Sequence, residues 1–450
     1  MSLGDARRHR RRTGRVERRT TRSGCLAVLA GLLPGPLLAQ GVTTDSALAL
    51  TGVGVVDGAS EAVRGNQTVW IVGGTIRDVF ETGTRDLPSG TPTIDLSGRY
   101  VIPGLIDGHQ HFSQASPGAR LDRLRFLLEG GVTAVRDPSG DARILGYLAL
   151  QARTGEIPAP DIVHAALIGG PGFGDYGPVA GISEGYTTGL APWVREVGDT
   201  TDLSRVMIEA RAVGARGVKL YRYLSPDLTR RVADAARAEG LLVWSHARIR
   251  GHNGSDEWAT PPAEVVRAGV DVVSHAGHLA CQVAPCRSGE ERSRAVATVS
   301  PDHPAIQAVL RDMAERGTIL DATLVNSAVV NEEAYWLQFA AGVTGLAARM
   351  GVPIMAGPDI PDDPERQSFP LLHRELELLV TEAGLSPWEA LVAATSTAAR
   401  GLGEEKRRGM IRPGMRADLV VLDADPLVDI RALRDPRIVI KGGRIVFGVR

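Results

Sequence analysis

Six side chains that could bind a metal ion each follow or lie within a short apolar segment of the sequence. These imidazole, amine and carboxylate groups belong to His109, His111, Lys219, His246, His275 and Asp359. His109 and His111 are two residues apart, and successive strand residues point to opposite faces, so both rings are expected on one face. Imidazole and carboxylate groups are common ligands of zinc and other divalent metals. The residue types therefore predict a metal site, although an isolated His-x-His pair is more often two polar loop residues.

Asp359 and His275 are the candidate catalytic residues within this set. A carboxylate can bind a metal and can also accept a proton from an attacking water molecule, which suits Asp359 as a general base. Taken alone, Asp359 could equally be a turn residue before Pro361, and His275 has a second histidine, His278, close by. Only the joint position of the six groups in the chain favours a shared site.

The segments that carry these groups predict the fold that would position them. Between residues 101 and 400, eight strand-like apolar segments alternate with helical sequence, at 101–107, 133–137, 161–168, 217–223, 241–246, 270–275, 317–323 and 352–357. This alternation is typical of an α/β fold, and eight strands are the number in a (β/α)8 TIM barrel. The carboxyl ends of barrel strands form the active-site face, so the six side chains are expected to converge there.

Helix starts and β-rich ends complete the predicted organisation. Ser225 precedes Pro226, and Ser386 opens a capping box that predicts one helix over 388–403. Residues 41–100 and 401–450 are short, β-rich and interrupted by glycine. We therefore predict that 101–400 form the barrel, and that 41–100 and 401–450 form the two parts of a small β-sandwich domain.

Residues 1–40 have the pattern of a bacterial signal peptide. Residues 1–22 contain nine arginines against two acidic residues, and an uncharged apolar run follows to Leu38. The run is too short for an ordinary membrane-spanning helix, and no stable span is predicted in the mature chain. We expect an exported protein, periplasmic or extracellular, by the Sec or the twin-arginine route. A disordered basic tail on a cytosolic protein is the alternative.

The net charge and the cysteines limit which partners and which cellular compartment are expected. The net charge of −1 includes the basic start, so the remainder is mildly acidic, which argues against a nucleic-acid partner. Cys281 and Cys286 could form a local disulfide in an oxidising compartment or remain two free thiols, and we favour the disulfide. A small-molecule substrate is expected, and the sequence leaves open whether the chain forms a homo-oligomer.

The chain resembles the amidohydrolase superfamily, in particular its imidazolonepropionase-like and prolidase-like branch of metal-dependent hydrolases. The matching segments are VIPGLIDGHQH, GVTAVRD, GVKLY, VWSHA, GVDVVSHAGHL, GVPIMAGPD and WEALVAATSTAARGLG with GMIRPGMRADLVVLDADPL. The resemblance implies that His109, His111 and Asp359 bind one metal ion, expected to be zinc, and that His246 and His275 bind a second. It further implies that Lys219 bridges the two ions as a carboxylated lysine.

The activity implied by the resemblance is hydrolysis of a C–N bond in an amide, dipeptide or cyclic amide by a metal-activated hydroxide. The alternatives are a mononuclear cyclic-amide hydrolase of the imidazolone type, with Lys219 unmodified, and a non-catalytic metal-retaining binding protein. Tyr221, Arg222 and His164 are the candidate substrate-binding residues, and Tyr221 shares strand parity with Lys219. Gly169-Gly170-Pro171-Gly172 stands where this branch often has Gly-Gly-His-Gly, so a known specificity does not transfer directly.

Overall fold

The computed structural model describes residues 47–251, 259–330 and 333–448. The predicted signal peptide at 1–40 lies outside the described residues. Within the described ranges, no helix is both long enough and apolar enough to cross a membrane.

Eight parallel strands form the sheet that positions the six candidate ligands. They pair in chain order, and they are β6 (Leu105–Asp107), β7 (Val132–Asp137), β8 (Asp161–Gly169), β11 (Gly217–Arg222), β12 (Leu242–Arg250), β13 (Val272–Ser274), β14 (Ile319–Asp321) and β15 (Ile354–Met355). Each overlaps one of the eight predicted segments. Two short strands, β9 (Leu190–Ala191) and β10 (Val194–Glu196), extend the sheet beside β8.

The first and last of the eight parallel strands are not joined by a β-ladder in the described structure. Two backbone hydrogen bonds cross this gap just beyond the strand ends. The Gly108 N–H donates to the Ala356 carbonyl at 2.9 Å, and the Asp359 N–H donates to the His109 carbonyl at 3.2 Å. The sheet is therefore an α/β sheet of barrel-like strand order that is not fully closed by strand pairing.

The described residues form thirteen α-helices, which follow or connect the strands. They are α1 (Pro117–Glu129), α2 (Ala142–Thr154), α3 (Gly177–Gly181), α4 (Leu203–Ala212), α5 (Pro226–Ala238), α6 (Pro262–Arg267), α7 (Gly289–Thr298), α8 (Pro304–Arg316), α9 (Leu324–Val329), α10 (Ala334–Arg349), α11 (Leu371–Thr381), α12 (Pro387–Ala393) and α13 (Ser396–Gly401). Short 3-10 helices occupy Phe173–Asp175, Ala276–Gln282 and Ile430–Arg434.

The single helix predicted over 388–403 is divided into α12 and α13. The predicted capping box is present, since Ser386 and Glu389 each accept a hydrogen bond from the other's backbone N–H. The Ala394 carbonyl, however, accepts a hydrogen bond from the Ile106 N–H of β6 at 2.7 Å. The Thr395 hydroxyl also donates to the Leu391 carbonyl. These bonds to the helix end and to β6 interrupt the helical hydrogen-bond pattern.

Strands from the two ends of the described chain form a second, eight-stranded sheet. Its members are β1 (Ala47–Val56), β2 (Val63–Val72), β3 (Thr75–Glu81), β4 (Thr93–Asp95), β5 (Tyr100–Pro103), β16 (Leu419–Leu422), β17 (Ile438–Lys441) and β18 (Arg444–Gly448). The predicted strand 101–107 is split between the two sheets at Gly104. An added Cβ at Gly104 would lie 2.3 Å from the Thr133 hydroxyl, so this crossing point has room only for glycine.

Candidate metal centre

All six candidate ligands line one cavity of about 440 Å³ at the carboxyl ends of the parallel strands. His109 and His111 follow β6, Lys219 lies in β11, and His246 lies in β12. His275 and Asp359 follow β13 and β15. Parallel strands end at the same edge of a sheet, and this brings together side chains that are up to 250 residues apart in sequence.

The Asp359 carboxylate lies at the centre of three imidazoles. Its Oδ1 atom is 3.3 Å from Nε2 of His109 and 3.2 Å from Nε2 of His111, while Oδ2 is 3.7 Å from Nδ1 of His275. One ligand atom each from His109, His275 and Asp359 lies within 4.8 Å of the others. This is the spacing of donor atoms that could share one metal ion.

His246 extends the cluster on the side of His275. The two ring centroids are 4.6 Å apart, and the His246 ring is 4.8 Å from that of Tyr221. Burial lowers the pKa of His246 well below its usual value and lowers that of His275 to about 3. Both rings are therefore neutral at neutral pH, which is the form of imidazole that binds metal.

Lys219 lies among the imidazoles with its amine shielded from solvent. The side chain is 2% exposed, and Nζ donates a hydrogen bond to the Ser274 hydroxyl at 3.0 Å. Burial, with the nearby Arg136 guanidinium, lowers the pKa of Lys219 to about 7. In the described structure no carboxylate forms an ion pair with this amine. A buried amine without a counterion is costly, so its placement requires an explanation.

Two of the candidate ligands have unusual backbone conformations. His275 has φ of 73° and Asp359 has φ of 50°, and the neighbouring Thr323 has φ of 51°. Residues other than glycine rarely adopt this left-handed region, at a cost of about 1 to 3 kcal/mol each. The Thr323 hydroxyl lies 3.1 Å from Nδ1 of His275, so a side-chain hydrogen bond connects two of these strained residues. Such strain is typical of side chains that are held in place for function.

Asp321 and Arg136 belong to the site and were missed by the sequence reasoning. Asp321 ends β14, is fully buried, and its Oδ2 atom lies 2.7 Å from Nδ1 of His109 and 2.7 Å from Nη2 of Arg136. The carboxylate thus orients the His109 ring from behind. An acidic residue at the end of the predicted strand 317–323 was the available signal.

Further polar contacts hold His111 and Asp359. The His111 Nδ1 atom lies 3.7 Å from Oδ1 of Asp137, and the Asn326 amide donates to Oδ2 of Asp359 at 3.1 Å. Burial opposes protonation of His111, but Asp137 and Asp359 raise its pKa to about 10. Although burial acts in the opposite direction, the surrounding histidines hold the pKa of Asp359 well below its usual range. The Asp359 carboxylate is therefore ionised.

Of the three candidate substrate-binding residues, only Tyr221 lines the cavity. Burial raises its pKa to about 12, so its hydroxyl stays protonated and can donate a hydrogen bond. His164 and Arg222 have the opposite strand parity from Leu167 and Tyr221, which both face the cavity. His164 is buried beside Gly214, at the end of α4, and Arg222 contacts the Tyr176 hydroxyl.

The remaining lining residues include several that the sequence reasoning did not select. Tyr176, His278, Arg292, Asn326 and Trp336 all border the cavity. They lie on the loops and helices that follow the strands, where no periodic pattern marks the inward-facing side.

Cys281 and Cys286 form a disulfide, as favoured from the sequence. The bridge spans the end of the 3-10 helix that follows His275 and the loop that leads into α7. The Arg248 guanidinium donates to the Cys286 carbonyl at 2.8 Å, which connects this loop to β12.

Comparison with known proteins places the chain among hydrolases. Residues 307–447 match the model of the amidohydrolase family. An imidazolonepropionase of Geobacillus kaustophilus (strain HTA426) is 24% identical over 470 residues, covering 94% of this chain and 96% of the relative. An ochratoxinase of Aspergillus niger is 25% identical over 393 residues, covering 77% of this chain and 76% of the relative.

Solved structures share the fold. The crystal structure of A. niger ochratoxinase matches with a TM-score of 0.68 at 20% identity, over 90% of this chain and 96% of the other. A Xaa-Pro dipeptidase with bound methionine in the active site matches with a TM-score of 0.66 at 22% identity, over 89% of this chain and 99% of the other.

Proposed function

Because the chain belongs to the amidohydrolase superfamily and is a hydrolase acting on carbon–nitrogen bonds, we propose that it is a metal-dependent enzyme that cleaves an amide, dipeptide or cyclic amide. The observation that carries this proposal is the Asp359 carboxylate in contact with His109, His111 and His275 in a cavity that a small substrate can enter.

The donor set fits a divalent metal centre, for which we propose two zinc ions. His109, His111 and Asp359 would hold one ion, and His246 and His275 would hold the other. Zinc requires neutral imidazoles and an ionised carboxylate, which are the forms of His246, His275 and Asp359, and His111, whose pKa is raised, would release its proton on binding the metal. When bound, such ions lower the pKa of water and polarise a substrate carbonyl.

Lys219 is the proposed bridging residue, as a carbamate formed from its amine and CO₂. An ammonium has no lone pair and repels cations, whereas a carbamate is an anion with two oxygen donors. The burial of Lys219 without a carboxylate partner supports this modification, because the amine lies beside His246 and His275 rather than in solvent. A single metal with unmodified Lys219 is the competing arrangement, and its amine would then keep the hydrogen bond to Ser274.

Asp359 is the proposed proton carrier of the reaction. Its carboxylate would accept a proton from the attacking water and deliver it to the leaving nitrogen as the C–N bond breaks. The Asn326 amide donates to both the backbone carbonyl and the side chain of Asp359, at 3.2 and 3.1 Å, and so limits its rotation. Tyr221 lines the same cavity, and its protonated hydroxyl would donate a hydrogen bond to the substrate.

We also propose a closed (β/α)8 barrel with a β-sandwich in the functional enzyme, and export to the periplasm or beyond. The chain order of the eight parallel strands supports the barrel. The Cys281–Cys286 disulfide supports export, because disulfides persist in oxidising compartments.

The Asp359→Asn variant tests the proposal against a panel of dipeptides, N-acyl amino acids and cyclic amides. We expect kcat/KM to fall by a factor of about 10² to 10⁴, the usual contribution of a general base, with bound metal still detected by elemental analysis. Asp302→Asn, at an exposed position, is the matched control and should retain full activity. Undiminished turnover by the Asp359→Asn variant would remove Asp359 from the mechanism.

A further inference from the structure

Three arginine side chains meet beside the candidate metal centre without a carboxylate partner. Arg222 and Arg250 stand opposite each other in the β11–β12 ladder, and Arg292 projects from α7 into the cavity wall. Arg222 contacts the Tyr176 hydroxyl at 3.0 Å, and Nη1 of Arg292 lies 3.3 Å from Nε2 of His278. In the part of the chain that the structure describes, none of the three forms an ion pair with an acidic side chain.

This arrangement is unfavourable for the protein alone. Like charges that face each other across a strand pair repel, and a guanidinium removed from water needs an anion or several acceptors to offset its lost hydration. The Nε atoms of Arg222 and Arg292 are both buried without a hydrogen-bond acceptor. Burial, together with the charges of Arg250 and Arg222, lowers the pKa of Arg292. Arg222 lies over the Tyr176 ring and Arg292 over the Trp336 ring, which offsets part of this cost, but no carboxylate in the described residues neutralises either charge.

Two of the arginines, Arg250 and Arg292, adjoin the cavity that the candidate ligands line, whereas Arg222 lines neither this cavity nor the pocket beside it. Arg292 and His278 border both that cavity and a smaller pocket, which Arg250 also lines. The His278 ring is 5.1 Å from the His275 ring and also contacts Arg292. Only the His278 side chain therefore separates Arg292 from the ligand cluster. A substrate of amino-acid size that reacts at the ligand cluster would reach Arg292 with a group a few bonds away.

We propose that Arg250 and Arg292 form an anion subsite, and that the substrate is an acyl or aminoacyl derivative of a dicarboxylic amino acid. One carboxylate pairs in bidentate fashion with one guanidinium, so a single negative charge would leave one of these two cations unpaired. Two carboxylates, as in aspartate or glutamate, match the two cations. This inference rests on the proposed hydrolysis of a C–N bond and specifies its substrate class.

Matched substrate pairs test the subsite. Purified holoenzyme is assayed with N-acetyl and alanyl derivatives of glutamate, and with the same derivatives of glutamine, which differ only by replacement of the side-chain carboxylate. We expect kcat/KM to favour the glutamate member by about tenfold or more, since hydrogen bonds to charged groups are among the stronger ones. In Arg292→Met this ratio should fall towards 1, while Arg292→Lys should keep part of it.

Arg294 supplies the control, because it lies on the same helix but is 70% exposed and pairs with Glu290. Arg294→Met should leave the ratio unchanged. Equal kcat/KM for both members of each pair would overturn the subsite and leave the proposed hydrolysis intact. If neither member is hydrolysed, the change in Tm caused by L-glutamate is compared with the change caused by L-glutamine. A larger shift by glutamate that is lost in Arg292→Met supports the subsite, and equal shifts contradict it.

Discussion

Nδ1 of His109 lies 2.7 Å from Oδ2 of Asp321, and both side chains are buried. This contact leaves Nε2 of His109 directed towards Asp359, 3.3 Å away. A carboxylate behind a histidine fixes the tautomer and the orientation of the ring, and it makes the ring a better metal ligand. Asp321 thus acts on the candidate metal centre without facing the cavity.

Replacement of Asp321 by Asn should weaken metal binding by about 10- to 100-fold, because the amide cannot stabilise the same His109 tautomer. Competition with a chromogenic chelator measures the affinity. The exposed Asp302→Asn variant is the control and should bind metal like the wild type. Unchanged affinity in Asp321→Asn would show that the contact with His109 does not support a ligand.

Removal of metal followed by reconstitution should reveal the state of Lys219. If the amine is carboxylated, zinc should restore activity more completely with bicarbonate present, and the restored protein should hold about two ions per chain. Lys219→Gln should lose most of the activity and show no bicarbonate effect. About one ion per chain with no response to bicarbonate would instead support the mononuclear arrangement. Elemental analysis and initial rates provide the two measurements.

Loss of the Cys281–Cys286 disulfide should lower the free energy of unfolding by about 2 kcal/mol, the chain-entropy value for so short a loop. The same loop joins the 3-10 helix that contains His278 to the helix that contains Arg292. We therefore expect the Cys281→Ser/Cys286→Ser double variant to lose substrate affinity more than kcat. Denaturant titration measures the stability, and the wild type under reducing conditions is the control. Identical unfolding curves with and without reductant would contradict the prediction.

Asp161 joins the parallel sheet to the second sheet through three cations. Its carboxylate lies 2.6 Å from Arg408, 3.0 Å from Arg416 and 2.8 Å from Lys441. Asp161→Asn should lower the free energy of unfolding by about 1 to 3 kcal/mol, because the buried Arg408 would lose one carboxylate partner and keep Glu404 and Asp418. The exposed Asp227→Asn variant is the control, since its partner Arg230 is also exposed. An unchanged Tm in Asp161→Asn would contradict this role.

The same carboxylate predicts a pH dependence of stability. Although burial opposes it, Arg408, Arg416 and Lys441 lower the pKa of Asp161 from 3.8 to about 2. Between these values the unfolded chain binds the proton and the folded chain does not, so stability rises with pH. The contribution is therefore complete above pH 3.8 and is lost as the pH falls through about 2. Asp161→Asn should flatten this part of the curve of stability against pH.

The strand positions could be predicted well because apolar runs bounded by glycine mark buried parallel strands in the sequence. The division of 101–107 at Gly104 could not be predicted, because both halves have the same apolar character. They differ only in their partners, since β5 pairs with β16 and β6 pairs with β7. The break between α12 and α13 depends likewise on a hydrogen bond from Ile106 in a distant strand.

The candidate ligand set could be identified because polar residues at the ends of apolar strands stand out from their surroundings. The substrate-binding side of the site could not be identified in the same way. Strands buried on both faces show no alternation of apolar and polar residues, so parity alone could not tell which face of β8 contains His164. The structure shows that Leu167 faces the cavity and that His164 lies on the other side.

By itself, the sequence determined the alternation of strands and helices, the six side chains with ligand chemistry and the cysteine pair, because each depends on local composition and spacing. Only the tertiary structure placed Asp321 behind His109 and brought Arg250 and Arg292 together beside the cavity. These contacts join residues far apart in the chain, such as the 212 positions that separate His109 from Asp321. Their energy depends on distance and burial, which the order of residues does not specify.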